Sequence, residues 1–341
     1  MSSNGSVNDL QTPALLVDAA AFATNISTMA SSLPGARLRP HVKAHKCTEL
    51  ARRQAEAGHR NFCAATLKEM EGMTGAGLGE DLLLANEVVD ASRLTPLVRS
   101  GARITLAVDS DETVEAARRA GVPEVLIDVN VGLPRCGCDP GQAGRLADAA
   151  RTAGLEVRGV MGYEGHAVGL ADRAERTRQV DEAMATLAKA HAEVGGDVIS
   201  AGGTGSYDIN KTATEIQAGS YALMDTAYAT LGLPFLNALT VIATVISVNQ
   251  AGWAVADCGL KALGMDHGNP SMADGSAVWF CSDEHVTFSP PQDCQLPRVG
   301  DRVRVVPAHV DPTVAYHEAL NVFDAASERV VEVWPVDMRG W

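Results

Sequence analysis

One segment near the start of the chain carries two lysines that could do covalent chemistry. The run RPHVKAHK covers residues 39–46, with Lys43 at the end of an apolar stretch and Lys46 at the entry to a helix-like one. A lysine that points inward from a strand loses hydration, which lowers the pKa of its amine and favours nucleophilic use. Lys43 is therefore the candidate nucleophile, and an exposed cationic cluster at a strand tip is the alternative.

A glycine-rich segment, SAGGTGSY at residues 200–207, could bind an anion. Glycine lets the backbone approach a ligand closely, and successive N–H groups can surround a phosphate. The hydroxyls of Thr204 and Ser206 could add two more donors. A plain tight loop would have a similar composition, so both interpretations remain at this point.

Three further side chains follow apolar, strand-like runs. Arg135 comes after the run EVLIDVN, Tyr163 ends the run VRGVMGY, and His166 follows three residues later. Arg135 could meet an oxyanion or form a surface ion pair. Tyr163 and His166 could flank a flat aromatic ligand, or be a core tyrosine and a histidine held by hydrogen bonds. His166 joins Lys43 as a candidate catalytic residue.

The segment VPAHVDPT at residues 306–313 contains a His-x-Asp pair. Residues two apart on a strand share a face, so His309 and Asp311 could point at one metal ion. Two protein ligands would leave positions open for water and substrate. Such a pair also arises by chance, and His285 is either a further member of this site or a surface residue.

These residues are distributed over a regular alternation of short apolar runs and amphipathic, Gly-terminated segments. The predicted strands lie at residues 36–43, 61–65, 81–86, 103–108, 124–130, 157–163, 197–201 and 219–224. Eight strand–helix units predict a parallel (β/α)8 barrel of the α/β class, with an open doubly wound sheet as the rival. In a barrel, the carboxyl ends of the strands carry the functional residues, and the candidates fall there.

The pattern changes at about residue 235, where helical periodicity gives way to Val-, Thr- and Ile-rich runs separated by turn residues. This composition predicts a smaller C-terminal β domain, to which the opening run TPALLVD also belongs. We therefore expect a barrel over residues 20–232 and a β domain formed by residues 1–19 and 233–341 that carries the metal site.

Composition limits the possible partners. The 341 residues carry a formal net charge of −14, which argues against nucleic acid as a partner. No stretch approaches membrane-spanning length, and the chain does not open with a basic and then apolar export segment. Seven cysteines are scattered without a CxxC pair, which favours the cytoplasm.

Taken in order, the motifs TPALLVD, RPHVKAHK, GYEGH, GGTGSY, EIQAGSYALMD and HVDPT are similar to those of a known family. The chain resembles the fold-type III pyridoxal-phosphate enzymes with the alanine-racemase-like barrel, and more closely their D-threonine aldolase and D-serine dehydratase branch. The resemblance implies that Lys43 forms the Schiff base with pyridoxal phosphate, that Arg135 and Tyr163 line its ring, and that the enzyme is a homodimer. The phosphate contacts that it implies are Gly203, Thr204, Gly205, Ser206 and Tyr221.

The same resemblance implies a small-molecule D-β-hydroxy-amino acid as substrate. The resemblance associates the dehydratase branch with a His-x-Cys pattern, which suits zinc. This chain has Asp311 in place of that cysteine, and oxygen ligands suit Mn²⁺ or Mg²⁺, with Zn²⁺ still possible. We therefore expect an aldolase that releases glycine and an aldehyde. A D-serine or 3-hydroxy-D-aspartate dehydratase is the second hypothesis. An amino-acid racemase and a non-catalytic cofactor-binding barrel are the remaining ones.

Overall fold

Two sheets form the framework of the computed structural model, which describes residues 5–341. The strands are, in chain order, β1 (Ala14–Asp18), β2 (Asn61–Ala64), β3 (Asp81–Leu84), β4 (Ile104–Val108), β5 (Glu124–Asp128), β6 (Glu156–Gly162), β7 (Val198–Ala201), β8 (Glu215–Ile216), β9 (Leu239–Asn249), β10 (Trp253–Ala256), β11 (Ser271–Met272), β12 (Ala277–Cys281), β13 (Val286–Ser289), β14 (Arg302–Val306), β15 (Ala319–Asp324) and β16 (Arg329–Pro335). The α-helices are α1 (Ala19–Ser32), α2 (Thr48–Glu56), α3 (Leu67–Gly75), α4 (Thr95–Arg99), α5 (Asp111–Ala120), α6 (Ala143–Thr152), α7 (Arg173–Val194), α8 (Thr226–Ala229) and α9 (Val310–Tyr316).

The parallel sheet runs in the order β2-β3-β4-β5-β6-β7-β8 and curls into a barrel. An extended segment at residues 38–41 lies between its two edges. Leu38 forms a parallel bridge to Ile216 of β8, and His41 forms one to Cys63 of β2. Because this segment contacts both edge strands, it takes the place of the remaining barrel strand. The predicted (β/α)8 barrel is confirmed.

Burial explains why these runs form strands. All five positions of β4 and all five of β5 are buried, as expected for parallel strands covered on both faces. Five consecutive strands each contribute one side chain to a packed layer, namely Cys63, Leu83, Ala107, Leu126 and Met161. Some helices begin and end at capping residues. For example, the Ser110 side chain accepts a hydrogen bond from the Thr113 amide at the start of α5, and Gly121 ends that helix with a φ of 70°.

Two predicted strands were wrong in detail. Within 36–43, only residues 38–41 are extended, and Lys43 lies on a 3-10 turn formed by Val42–Ala44. The last strand is Glu215–Ile216, and the predicted 219–224 run is instead a 3-10 turn over Ser220–Ala222. Hydrogen bonds from the amides of Thr214 and Gln217 to β7 fix this earlier register, after which the chain leaves the sheet.

The second sheet has the order β12-β13-β10-β9-β1-β15-β16, and β14 joins it by pairing with β9 and β11. Strand β1, from the TPALLVD run, is parallel to β15 and antiparallel to β9. The hydrophobic core beside this second sheet includes Val7, Leu16, Ile242, Phe323 and Val330. The predicted C-terminal β domain is therefore confirmed, and β1 pairs within its sheet.

The boundaries predicted for the two domains stay a prediction, and residues 1–4 of the predicted 1–19 segment lie outside the described residues. No helix within residues 5–341 combines the length and apolar character that crossing a lipid bilayer would require.

Candidate functional site

Three of the predicted site residues meet at the carboxyl ends of the barrel strands. The Nζ of Lys43 lies 5.9 Å from the centroid of the Tyr163 ring, and the Arg135 guanidinium carbon lies 5.4 Å from the same centroid. Tyr163 directly follows β6, and Arg135 lies in the loop after β5. Lys43 is half-buried, so its side chain is partly covered by the protein and still accessible to a ligand. A nucleophilic amine, a fixed cation and an aromatic ring therefore surround one position.

The glycine-rich loop reaches the same tyrosine. A Cβ added to Gly203 would lie 3.5 Å from Cε2 of Tyr163, so the backbone of the loop runs alongside the ring. Gly202 has a φ of 85°, and a Cβ there would lie 2.9 Å from the Ile216 side chain. Glycine is therefore required at residue 202 for conformation and for space.

A buried carboxylate, which sequence analysis missed, holds this loop in shape. Glu164 is fully buried and accepts hydrogen bonds from the Gly202 amide at 3.1 Å, the Ser206 hydroxyl at 2.8 Å and the Asn210 side-chain amide at 3.1 Å. The Ser206 oxygen also accepts from the Gly203 amide at 3.1 Å. Ser206 thus acts within the loop, between a carboxylate and a backbone amide. The GYEGH motif contained the only sequence signal, an acid between two polar aromatic side chains.

The other two predicted barrel-related residues occupy different surroundings. The ring of His166 packs over Gly132, where an added Cβ would lie 2.8 Å from Cε1. Its Nδ1 is buried without a hydrogen-bond partner among residues 5–341, which leaves it able to bind a ligand group. The chain divides into two compact units, and Tyr221 belongs to the one that contains the second sheet. Tyr221 is fully buried, and the centroid of its ring lies 5.7 Å from that of Phe235.

Two carboxyl groups, those of Asp128 and Glu87, lie next to each other at the same end of the barrel. Burial, and then hydrogen bonding to Glu87, raises the pKa of Asp128, the last residue of β5, well above its ordinary value. One oxygen of Glu87, Oε1, is buried and has no partner among the described residues. A buried carboxyl group whose pKa is raised by burial and by a neighbouring acid is typical of functional sites.

The predicted metal pair lies in the unit of the second sheet. The Nε2 of His309 and an Oδ2 of Asp311 are 3.9 Å apart, a separation that one ion could bridge. The strand predicted for this pair was wrong, because β14 ends at Val306 and Asp311 lies in the first turn of α9. The two side chains converge because a helix begins between them.

Backbone contacts fix this turn. Asp225, which is fully buried, accepts a hydrogen bond from the Val310 amide at 2.9 Å. Burial also raises the pKa of Asp225 above its ordinary value. On the other side, the Gly264 amide donates to the Thr313 hydroxyl at 2.8 Å, and a Cβ on Gly264 would lie 2.3 Å from Pro312. Glycine at residue 264 is therefore required for this close approach.

The loop after Gly264 adds two residues that sequence analysis missed. The Nδ1 of His309 lies 2.9 Å and 2.7 Å from the two carboxylate oxygens of Asp266. The ring of His267 stacks on that of His309, with centroids 3.9 Å apart and an interplanar angle of 12°. Within residues 5–341, ligand atoms of Asp266, His267 and His309 lie within 4.8 Å of one another. Adjacent Asp and His residues between two glycines were the sequence signal.

His285 takes no part in this group. It is exposed, and its Nδ1 lies 3.5 Å from the Ser282 hydroxyl. Of the two interpretations offered by the sequence, the surface residue is the one that this position supports.

Two family models match the chain. One is described as the N-terminal domain of alanine racemase and matches residues 17–226, and the other is a putative serine dehydratase domain that matches residues 238–323. A D-threonine aldolase from Arthrobacter sp. is 35% identical over 97% of this chain and 93% of its own length. A 3-hydroxy-D-aspartate aldolase from Paracoccus denitrificans strain Pd 1222 is 31% identical over 98% of this chain and 93% of its own.

Solved structures agree with these matches. The crystal structure of D-threonine aldolase from Filomicrobium marinum superimposes with a TM-score of 0.93 at 35% identity, covering 100% of this chain and 98% of that one. D-threo-3-hydroxyaspartate dehydratase from Delftia sp. HT23 gives a TM-score of 0.87 at 26% identity, covering 98% and 100%. Alanine racemase from Corynebacterium glutamicum, at 17% identity and a TM-score of 0.69, shares the fold.

Proposed function

Because the chain belongs to the D-threonine aldolase and D-serine dehydratase family of fold-type III pyridoxal-phosphate enzymes, we propose that it is a lyase that cleaves a D-β-hydroxy-amino acid to glycine and an aldehyde. One observation carries the proposal. The Lys43 amine and the Arg135 guanidinium both lie within 6 Å of the Tyr163 ring centroid. The glycine-rich loop runs along the same ring.

These residues fit pyridoxal phosphate, which when bound withdraws electrons from the α-carbon of an amino acid. Lys43 would hold the cofactor through Nζ and, after the substrate amine replaces it, keep an amine that can take or return a proton. Tyr163 and Arg135 would orient the ring. The phosphate would lie at the loop of Gly203, Thr204, Gly205 and Ser206, whose shape Glu164 fixes through hydrogen bonds. Because the Ser206 hydroxyl and the Gly203 amide bond to each other, direct phosphate contacts from these two residues stay predictions. Tyr221 and His166 stay predicted contacts.

His309 and Asp311 would hold a divalent metal, for which we favour Mn²⁺ or Mg²⁺, with Zn²⁺ possible. The donor set, one imidazole nitrogen and one carboxylate oxygen 3.9 Å apart, suits such an ion and leaves open positions for a substrate oxygen. A metal there would make the β-hydroxyl of the substrate more acidic, which favours cleavage of the Cα–Cβ bond.

A dehydratase is the second candidate, supported by the 28% identity to D-threo-3-hydroxyaspartate dehydratase from Delftia sp. strain HT23 over 97% of this chain. That reaction removes the α-proton and expels the β-hydroxyl as water, and hydrolysis of the resulting enamine yields ammonia and an α-keto acid. We favour the aldolase because Asp311 is a hard oxygen ligand and because the 35% identical relative is a D-threonine aldolase. A homodimer and a cytoplasmic location stay predictions.

Product analysis tests the proposed reaction. The purified protein, loaded with pyridoxal phosphate and Mn²⁺, is incubated with D-threonine, a D-β-aryl analogue and 3-hydroxy-D-aspartate, with the L-isomers as controls. From D-threonine and the D-β-aryl analogue we expect equimolar glycine and aldehyde, with no ammonia and no α-keto acid. From 3-hydroxy-D-aspartate we expect equimolar glycine and glyoxylate, with no ammonia and no oxaloacetate. Stoichiometric ammonia and α-keto acid without aldehyde would make the protein a dehydratase.

A further inference from the structure

Both ring nitrogens of His309 face a carboxylate, on opposite sides of the ring. Nδ1 lies 2.9 Å and 2.7 Å from the two oxygens of Asp266, whereas Nε2 lies 3.9 Å from Oδ2 of Asp311. A neutral imidazole has one N–H and one lone pair, so its two nitrogens cannot play the same part. The short contact is the distance of a hydrogen bond, and the long one is not.

We propose that Asp266 is a positioning residue that accepts the Nδ1 proton of His309 and thereby turns the Nε2 lone pair toward Asp311. A metal ion would then bind on the Nε2 side, between His309 and Asp311. Metal-binding histidines commonly donate their other N–H to a carboxylate, which fixes the tautomer and the ring orientation. This inference rests on the metal dependence proposed above and assigns a role to a residue outside the His-x-Asp pair.

The neighbouring residues offer a second arrangement, in which Asp266, His267 and His309 all bind one ion through Nδ1 of His309. The stacking of the two imidazoles argues against it. A histidine lone pair lies in the ring plane, and an ion bound to nitrogen sits about 2.1 Å away in that plane. The planes of His267 and His309 differ by 12° and their centroids are 3.9 Å apart, so no point lies in both planes near both rings.

The loop that carries Asp266 is built to hold this carboxylate in place. Gly264 forms an antiparallel bridge with His309, and its amide donates to the Thr313 hydroxyl, which in turn donates to the His309 carbonyl at 2.6 Å. The backbones on both sides of the Asp266–His309 hydrogen bond are thus joined. The Asp266 side chain itself is 57% exposed, so replacing it should not disturb the core.

Manganese binding to the pyridoxal-phosphate-loaded protein tests the proposal, with free Mn²⁺ measured by electron paramagnetic resonance. We expect His309→Ala and Asp311→Ala to abolish specific binding. Asp266→Ala should weaken it by about 10–100-fold, the range seen when the partner of a metal-binding histidine is removed. Asp266→Asn keeps an acceptor oxygen and should recover part of this loss. His267→Ala is the matched control and should bind as the unmutated protein does.

A second measurement reads the tautomer without any metal. Long-range ¹H–¹⁵N correlation spectra of the histidine-labelled, metal-free protein should show the His309 proton on Nδ1, and Asp266→Ala should move it toward Nε2.

Three results would overturn the proposal. Unchanged manganese affinity in Asp266→Ala would remove the positioning role. Loss of binding in His267→Ala with normal binding in Asp311→Ala would put the ion on the Nδ1 side. An unmutated protein that binds none of Mn²⁺, Mg²⁺ and Zn²⁺ would refute the metal requirement of the proposed function as well, which separates that failure from the first two.

Discussion

The two ends of the barrel both bury acidic side chains, but they treat the negative charge in opposite ways. At the amino ends of the strands, Asp81 opens β3 and accepts hydrogen bonds from Arg39 at 3.0 Å and from Arg158 at 3.1 Å. Glu215 opens β8 and accepts one from Arg39 at 2.7 Å. Each of these carboxylates therefore has a cation beside it.

At the carboxyl ends of the strands, Asp128 has Glu87 as its neighbour, so one acid faces another. Burial alone would raise the pKa of Asp81, but Arg39 and Arg158 outweigh it and lower the pKa to about 2. For Asp128, burial and Glu87 act together and raise the pKa. The carboxylates with arginine partners at the amino ends of the strands support stability. The acids without such partners at the carboxyl ends can exchange protons with a ligand.

The largest expected effect lies at the carboxyl ends, where Lys43 should be indispensable. Lys43→Ala should remove the visible cofactor absorbance of the purified protein. It should also lower the rate by about 10³-fold or more, as when a covalently reacting group is lost. Lys46, which has a φ of 46°, provides the control as Lys46→Asn, because asparagine tolerates that conformation. Borohydride reduction followed by peptide mapping should find the cofactor on Lys43. An adduct on Lys46 would contradict the assignment.

At the amino ends, the largest effect should be on stability. The Arg39 side chain is 2% exposed, and Arg39→Met would leave the buried Glu215 without this cation and the half-buried Asp81 with Arg158. Breaking a buried ion pair in this way costs about 3–5 kcal/mol of unfolding free energy. The exposed Arg60–Glu80 pair offers a matched control, since Arg60→Met should change stability by about 0.5 kcal/mol or less. Urea denaturation measures the free energy of unfolding of both variants. Equal losses would show that the ion pairs of Arg39 add nothing to stability beyond an exposed pair.

The fold could be predicted largely from the sequence because parallel strands need continuous apolar runs, and such runs are visible one residue at a time. The prediction was wrong where a buried apolar run does not pair with a neighbouring strand. The apolar run around Tyr221 is buried, yet it lies in a turn, because the pairing with β7 is completed at Gln217. Similarly, Lys43 lies just beyond the extended residues rather than among them.

The candidate site could be predicted where its members follow barrel strands, as Lys43, Arg135 and Tyr163 do, or where they are close in the chain. His309 and Asp311 form a local pattern, and so does the glycine-rich loop. Asp266 is 43 positions from His309, and Glu164 is 42 positions from Ser206. Nothing in the residues at one end of such a pair indicates the other, because folding alone brings them together.

The pH dependence of stability offers the finest test of the comparison between the two ends. The pKa of Asp128 is raised on folding, so the folded chain keeps a proton that the unfolded chain releases above its ordinary pKa of 3.8. Stability must therefore fall as the pH rises from 3.8 through the folded pKa. Asp128→Asn removes this term. The melting temperature of the variant relative to the unmutated protein should rise as the pH increases above 3.8 and become constant once the pH passes the folded pKa of Asp128.

Asp81→Asn should show the reverse dependence, and the two variants together decide the question. The pKa of Asp81 falls from 3.8 to about 2 on folding, so its contribution to stability is complete above 3.8 and is lost as the pH falls toward 2. The deficit of this variant should be constant at neutral pH and shrink below pH 4. If Asp128→Asn instead gave a deficit that shrank in acid, Asp128 would be an ionised, stabilised carboxylate like Asp81. The contrast between the two ends of the barrel would then be wrong.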